Sequence, residues 1–249
     1  MVQATKEIEM PHFSDDLMLG PVFAGGPMNS NMELGVGPMG RVHIFDVVPL
    51  TKNTTGLAAA QAVAGAGNLT LTAGTGVTSA SADGVTRLVL DTPRCVDVVS
   101  SNAGDTTQTA TIYGYDQYGQ SMTQLVTLNG TSRVATTKAF KSVYRIAISA
   151  ACTGNASAGT TDVIGLPYRV TTRDYIVGSN FNATAVALTA YTVADVTSPA
   201  TNATGDVRGT LTLPSASDGT KRAVVAIALP AIAAGPNATR TGAVGVDQV

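Results

Sequence analysis

The amino-acid sequence predicts an all-β protein, an antiparallel β-sandwich or jelly-roll with an extended N-terminal arm. Apolar and polar residues alternate with a period of two in many short segments, as in half-buried strands. Turn signals such as Asp83-Gly84, Asn102-Ala103-Gly104 and Gly154-Asn155 separate these segments at the spacing of a sandwich or barrel. No long segment has the 3.6-residue period, so we expect less than about 10% helix.

Residues 112–130 give the clearest local prediction. In the second half of this segment, one face is mostly apolar and consists of Met122, Gln124, Val126 and Leu128. The other face is polar except for Leu125. Residues 116–119 fit a type I turn that ends in glycine, and Asn129-Gly130 is a second turn signal. The segment therefore predicts an antiparallel hairpin.

The remaining elements follow from the same alternation. Strands are predicted at 41–48, 69–72, 85–91, 94–100, 107–115, 120–128 and 138–149. The Ala-rich residues 57–66 are the only stretch that could form a helix, of about two turns at most. Residues 206–213 and 222–229 predict a second hairpin, joined through Ser217-Asp218-Gly219.

The predicted domain organisation has three parts. Residues 1–40 are an extended arm, because frequent prolines and glycines prevent a long helix or a central strand. Residues 41–230 form the β body, with two sub-regions that could meet near 165–175, and residues 231–249 form a flexible tail. The arm is too apolar to remain in water, so we expect it to lie on a protein surface through side chains that include Phe13, Leu17, Leu19, Phe23 and Leu34.

Composition and charge exclude several classes of partner. Only 13% of the 249 residues are charged and the net charge is −2, which provides no basic field for a phosphate backbone. The N-terminus lacks the apolar run of a signal peptide, and no segment approaches a membrane span. Cys95 and Cys152 are far apart in sequence, and we expect two free, buried thiols in a reducing cytoplasm.

The candidates for catalytic or cofactor chemistry are weak. Gly35, Gly37 and Gly40 match a dinucleotide-binding loop in letters, but Pro38 interrupts them and a strand follows rather than precedes them. The His12, Asp15 and Asp16 side chains could bind a metal, although solvated acidic residues near a chain end are common. His43 lies in a predicted strand, where a packed histidine is more frequent than a general base, and no Gly-x-Ser-x-Gly motif is present. We predict no enzyme, cofactor or metal site.

The tyrosines Tyr113, Tyr115 and Tyr118 form the one local aromatic cluster. Tyr113 and Tyr115 share the less apolar face of a predicted strand with threonines, which is typical of a contact surface for protein or carbohydrate. Ordinary packing between neighbouring strands explains the same pattern equally well.

Several stretches resemble virion structural proteins of tailed bacteriophages that are encoded near the major capsid protein. They are IYGYDQYGQSMTQLVTLNG, MPHFSDDLMLG, VGPMGRVHIFDVVPL, TTKAFKSVYRIAISAACTGN, TDVIGLPYRV and TGDVRGTLTLPSASDGTKR. The resembling segments make up about two fifths of the chain. The TTKAFKSVYRIAISAACTGN stretch is similar to the β-sandwich modules that such phages use as decoration.

The resemblance implies a non-enzymatic capsid cement or decoration protein, made in the host cytoplasm and located on the capsid surface of the virion. Its partner would be the major capsid protein, contacted by the arm, and the geometry of local threefold axes implies a homotrimer. The alternative is a head-fibre or tail component that binds a host receptor or glycan through Tyr113, Tyr115 and the neighbouring loops.

Overall fold

The computed structural model describes residues 17–18, 41–82, 84–195 and 205–228. These residues form strands and two 3-10 helices, Arg173–Tyr175 and Leu188–Ala190, and contain no α-helix. The strands are β1 (Leu17–Met18), β2 (Arg41–Val47), β3 (Ala58–Ala62), β4 (Gly67–Asn68), β5 (Val77–Ala82), β6 (Val85–Ser100), β7 (Thr109–Tyr115), β8 (Ser121–Thr127), β9 (Val134–Ile148), β10 (Asn155–Gly165), β11 (Ile176–Phe181), β12 (Thr184–Ala185), β13 (Tyr191–Thr192), β14 (Thr210–Thr212) and β15 (Ala223–Ala228). The predicted all-β, antiparallel class is confirmed.

The strands form two antiparallel sheets. The large sheet has the order β13-β14-β10-β6-β9-β7-β8, with β3 added beside β10, β4 beside β9 and β5 beside β6, and it curls into a half-barrel. The small sheet has the order β1-β2-β15-β11-β12. Strand β2 therefore joins the small sheet although the next strands along the chain belong to the large one.

Two hydrophobic cores lie inside these sheets. The first contains Ile112, Phe140 and Ile146 and is built from strands β3 and β5 to β10. The second contains Phe181, Leu211 and Val225 and lies between the small sheet and the end of the large one. Strand β10 contributes to both cores, with alanines at its start and Ile164 near its end, and so connects the two parts of the described chain.

The hairpin predicted at 112–130 is confirmed. Strands β7 and β8 pair antiparallel from Thr109 opposite Thr127 to Tyr115 opposite Ser121. The mostly apolar face predicted for β8 and the following Leu128 is buried, whereas Leu125 is 43% exposed. The turn is closed by the Asp116 carboxylate, which accepts hydrogen bonds from the backbone N–H groups of Tyr118 and Gln120, both at 2.8 Å.

The helix considered for residues 57–66 is wrong. Residues 58–62 form β3, which pairs with β10 through Ala156 and Ala158. Backbone pairing with β10 favours the extended conformation here, since the N–H of Leu57, directly before β3, donates to the Ala158 carbonyl oxygen at 3.2 Å. Tertiary contacts thus override the intrinsic helix propensity of alanine.

Two further strand predictions need correction. The predicted strands 85–91 and 94–100 are one strand, β6, because Pro93 lies where the register with β9 shifts, a position at which a sheet tolerates proline. Residues 69–72 do not form the expected strand; the two residues before them form β4 instead. Directly after β4, the Leu69 N–H still donates to the Ile146 carbonyl oxygen of β9 at 2.8 Å. Strand β10 was not predicted, since its small residues carry no alternating pattern.

The second predicted hairpin is also wrong. Strand β14 pairs with β10 and β13 in the large sheet, whereas β15 pairs with β11 and β2 in the small sheet. The turn at Ser217 therefore passes the chain from one sheet to the other. Hydrogen bonds to Asp162 of β10 hold the turn in this position. The Ser217 hydroxyl donates to one Asp162 carboxylate oxygen at 2.7 Å, and the Ser217 N–H donates to the same oxygen at 3.1 Å.

Candidate interaction surface

The outward face of β7 is aromatic and polar. Alternation along the strand places Ala110 and Ile112 in the core and leaves Tyr113 and Tyr115 half-buried on the opposite side. Gly114 lies between the two tyrosines, and a Cβ there would be 2.1 Å from the Ser142 carbonyl oxygen. Glycine thus allows β9 to approach β7 closely where the register between them shifts.

Strand β9 adds a third tyrosine to this face. The Tyr144 ring centroid lies 6.2 Å from that of Tyr113 and 5.6 Å from that of Tyr115, with tilted planes in both pairs. These separations fall within the range of favourable aromatic pairs. The sequence alone did not identify Tyr144. Strict alternation would place Tyr144 and its neighbour Arg145 on opposite faces of the sheet. A register shift between β7 and β9 lets both residues contact β7 tyrosines, and no sequence signal indicates that shift.

Two arginines stack on these rings. The Arg145 guanidinium lies 3.7 Å from the Tyr113 ring centroid, and the Arg87 guanidinium of β6 lies 4.2 Å from that of Tyr115. Both distances are typical of cation–π contacts. We refer to Tyr113, Tyr115, Tyr144, Arg87 and Arg145 as the tyrosine–arginine surface.

Tyr118, which the sequence grouped with Tyr113 and Tyr115, has a separate environment. It lies in the turn between β7 and β8, where its hydroxyl donates to the Pro167 carbonyl oxygen at 2.7 Å. Its ring covers the Arg208 guanidinium, 4.7 Å from the ring centroid. Tyr118 therefore connects the hairpin turn to the second core and stands apart from the tyrosine–arginine surface.

A buried ion pair lies beneath Tyr118. The Arg208 Nη2 atom is 2.6 Å from the Asp116 Oδ2 atom, and both side chains are almost fully buried. Strand β7 ends at Tyr115, directly before Asp116, whereas Arg208 precedes β14, so the pair links the two cores. Charges buried in this way need their partner, because desolvation of each ion is otherwise uncompensated.

A second set of buried polar groups lies beside this pair. The Asp206 carboxylate accepts hydrogen bonds from the backbone N–H groups of Ala139 and Arg208, both at 2.9 Å. Burial lowers the pKa of the Lys138 ammonium, and the nearby Asp206 and Asp195 carboxylates oppose that shift. Burial also raises the pKa of the Cys95 thiol well above its usual range, so this cysteine is not a reactive thiolate. The Asp206 carboxylate thus positions the backbone at Ala139 and Arg208.

The sequence candidates for metal and redox chemistry have ordinary environments where the structure describes them. Within the described ranges, no three His, Cys, Asp or Glu side chains form a group suited to a metal ion. His43 stacks on the Tyr168 ring with centroids 4.4 Å apart. Both cysteines are free thiols; Cys95 is buried, but Cys152 is half-buried, so the prediction of two buried thiols is wrong for Cys152. None of the helices in the described part of the chain is long and apolar enough to cross a membrane.

The outward face of the small sheet carries an apolar patch beside the exposed Asp46–Arg222 ion pair. Ile44 of β2 is 58% exposed and Val177 of β11 is 52% exposed. Between them, β15 places the half-buried Val224 and Ala226 on the same side, with Ala226 opposite both Ile44 and Gly178. We refer to Ile44, Val177, Val224 and Ala226 as the small-sheet outer face.

Most of the predicted arm contacts lie outside the described residues. Leu17 belongs to β1, where its backbone pairs with Val42 of β2. The other arm side chains that the sequence singled out, Phe13, Leu19, Phe23 and Leu34, fall in undescribed segments, as do the metal candidates His12, Asp15 and Asp16. The tail, residues 231–249, lies there as well.

Comparison with known proteins gives no assignment. No family model matches this sequence, and neither a curated protein nor a solved structure is significantly similar to the chain.

Proposed function

We propose that this chain is a non-enzymatic cement or decoration protein of a tailed-phage capsid, which stabilises the head by binding major capsid protein subunits as a homotrimer. The observation that carries the proposal is the small-sheet outer face. Ile44 and Val177 are each more than half exposed on a sheet that has its own core on the opposite side. Exposed apolar side chains grouped on one face of a sheet in this way are typical of a protein–protein contact site.

The position of this face in the sequence supports the proposal. Strand β2, which carries Ile44, begins directly after residues 1–40, the predicted arm. Burying Ile44 against a neighbouring subunit, together with apolar arm residues such as Phe13 and Phe23, would form one extended contact. Cementing a shell requires such extended contact rather than a single deep pocket.

The β body suits this role because it is internally connected. The Asp116–Arg208 pair links the two cores, and Arg94 donates to the Asp91 carboxylate and to the Leu50 and Thr161 carbonyl oxygens. A body that is already ordered loses little conformational entropy when it binds. The resemblance of six sequence stretches to virion proteins supports the same class of function and a location on the capsid surface.

The arm provides the first test. A variant with the five apolar arm residues replaced by Ser should fold normally but bind capsid shells much more weakly; these residues are Phe13, Leu17, Leu19, Phe23 and Leu34. Ordering an arm costs about 1–2 kcal/mol per residue. Burial of each large apolar side chain contributes about 1.5–3 kcal/mol to binding. Without those side chains, the free energy gained from the contact no longer offsets the entropy lost on ordering the arm. Co-sedimentation with purified empty shells measures the occupancy.

The matched control keeps the arm at full length and replaces five of its polar residues by Ala, namely Gln3, Ser14, Asn29, Ser30 and Asn31. This control should decorate shells like the unmodified protein. Undiminished occupancy of the five-Ser variant would show that the arm does not carry the capsid contact.

A second candidate function is a head-fibre or tail component that binds a host receptor or glycan. The tyrosine–arginine surface favours it, because half-exposed tyrosine rings beside a guanidinium can stack on sugars and bind acidic groups.

A further inference from the structure

The charge of the chain is divided between the arm and the remainder. Residues 1–40 contain one lysine and five carboxylates, a net charge of −4, whereas the other residues carry a net charge of +2. Four of the five carboxylates fall in residues 7–16, at Glu7, Glu9, Asp15 and Asp16. The N-terminal segment is therefore strongly acidic, whereas the remainder carries a small excess of positive charge.

The tyrosine–arginine surface has the matching chemistry. Strands β7, β8 and β9, which form most of this face, contain no Asp or Glu. Arg145 is exposed and, within the described residues, its guanidinium has no carboxylate partner. Stacking on the Tyr113 ring occupies the flat side of the guanidinium, which leaves its in-plane N–H groups available for a carboxylate.

We propose that the tyrosine–arginine surface binds the acidic N-terminal segment of this chain, residues 7–16, from the same or a neighbouring copy. Glu7 and Glu9 are separated by one residue, so an extended segment presents both carboxylates on the same side. The segment precedes β1, which starts at Leu17, and ten extended residues reach about 33 Å. The binding does not depend on a capsid, and it is expected in the isolated protein.

The test is zero-length crosslinking in the full-length chain. In the Arg145→Lys variant, a carbodiimide should join the introduced amine to a carboxylate with which it is in contact. Mass spectrometry should show crosslinks from position 145 to residues 7–16, several-fold above those in the control variant Arg173→Lys. Arg173 is an exposed arginine beside the small sheet, so the control places the same amine on a different surface.

Two additions identify the bond and the copy that supplies it. Replacing Glu7 and Glu9 by Gln and Asp15 and Asp16 by Asn should abolish the crosslinks, and mixing isotopically labelled with unlabelled protein distinguishes crosslinks within one copy from those between copies. Crosslinks to residues 7–16 no more frequent than in Arg173→Lys would overturn the proposal and leave the surface free for an external ligand.

A second measurement needs no substitution at position 145. In the unmodified chain, phenylglyoxal should modify Arg145 several-fold more slowly than in the variant that lacks the four carboxylates, while Arg173 reacts at the same rate in both. Equal rates at Arg145 in the two proteins would contradict the proposal even if the crosslinking variant failed to fold.

Discussion

Replacing Arg208 by Met is expected to lower the free energy of unfolding by about 3–5 kcal/mol. The substitution removes the Arg208 guanidinium, whose Nη2 atom lies 2.6 Å from the Asp116 Oδ2 atom. The Asp116 carboxylate then stays buried without this ion-pair partner. The same carboxylate closes the β7–β8 turn, so the loss affects the hairpin as well as the link between the cores. Urea unfolding followed by circular dichroism measures the change.

The matched control is Arg222→Met. Arg222 pairs with Asp46 across the small sheet, but its side chain is 64% exposed. Exposed pairs contribute about 0–1 kcal/mol, so this variant should unfold almost like the unmodified protein. A loss in Arg208→Met no larger than the small loss expected for Arg222→Met would show that the buried pair stabilises the fold no more than an exposed pair does.

Replacing Phe140 by Ala should cost about 3–5 kcal/mol. Phe140 is fully buried in the first core. Its ring fills the space over Gly114, because a Cβ added at that glycine would lie 2.7 Å from the Phe140 Cδ1 atom. The control Leu125→Ala removes an apolar side chain that is 43% exposed and should change stability by about 0.5 kcal/mol or less. Thermal unfolding of the two variants in parallel checks the difference, and a loss at Phe140 no larger than that at Leu125 would contradict the assigned core.

The parts of the fold that the sequence predicted correctly depend on local contacts. The β7–β8 hairpin is one example, since its two strands and its turn lie within 19 consecutive residues, Thr109 to Thr127. The hairpin expected at 206–229 fails because β14 and β15 pair with strands that are distant in sequence. Strand alternation describes which side of a strand is buried, but it does not select the partner strand.

The composition of the tyrosine–arginine surface was predicted in part for the same reason. The outward position of Tyr113 and Tyr115 follows from alternation along one strand. The contributions of Tyr144, Arg145 and Arg87 depend on how β9 and β6 align with β7, including a register shift at Gly114. The separate role of Tyr118 depends on Arg208, 90 residues further along the chain, which no local pattern indicates.

The proposed capsid role implies that a tailed phage encodes this chain, and a density map of purified virions of such a phage tests that role most directly. A capsid role predicts density for the two-sheet body on the outer surface of the head, at local threefold positions and in contact with the major capsid protein. The small-sheet outer face should lie in a contact between subunits. Density for the protein at the tail alone, or its absence from the particle, would contradict the capsid role.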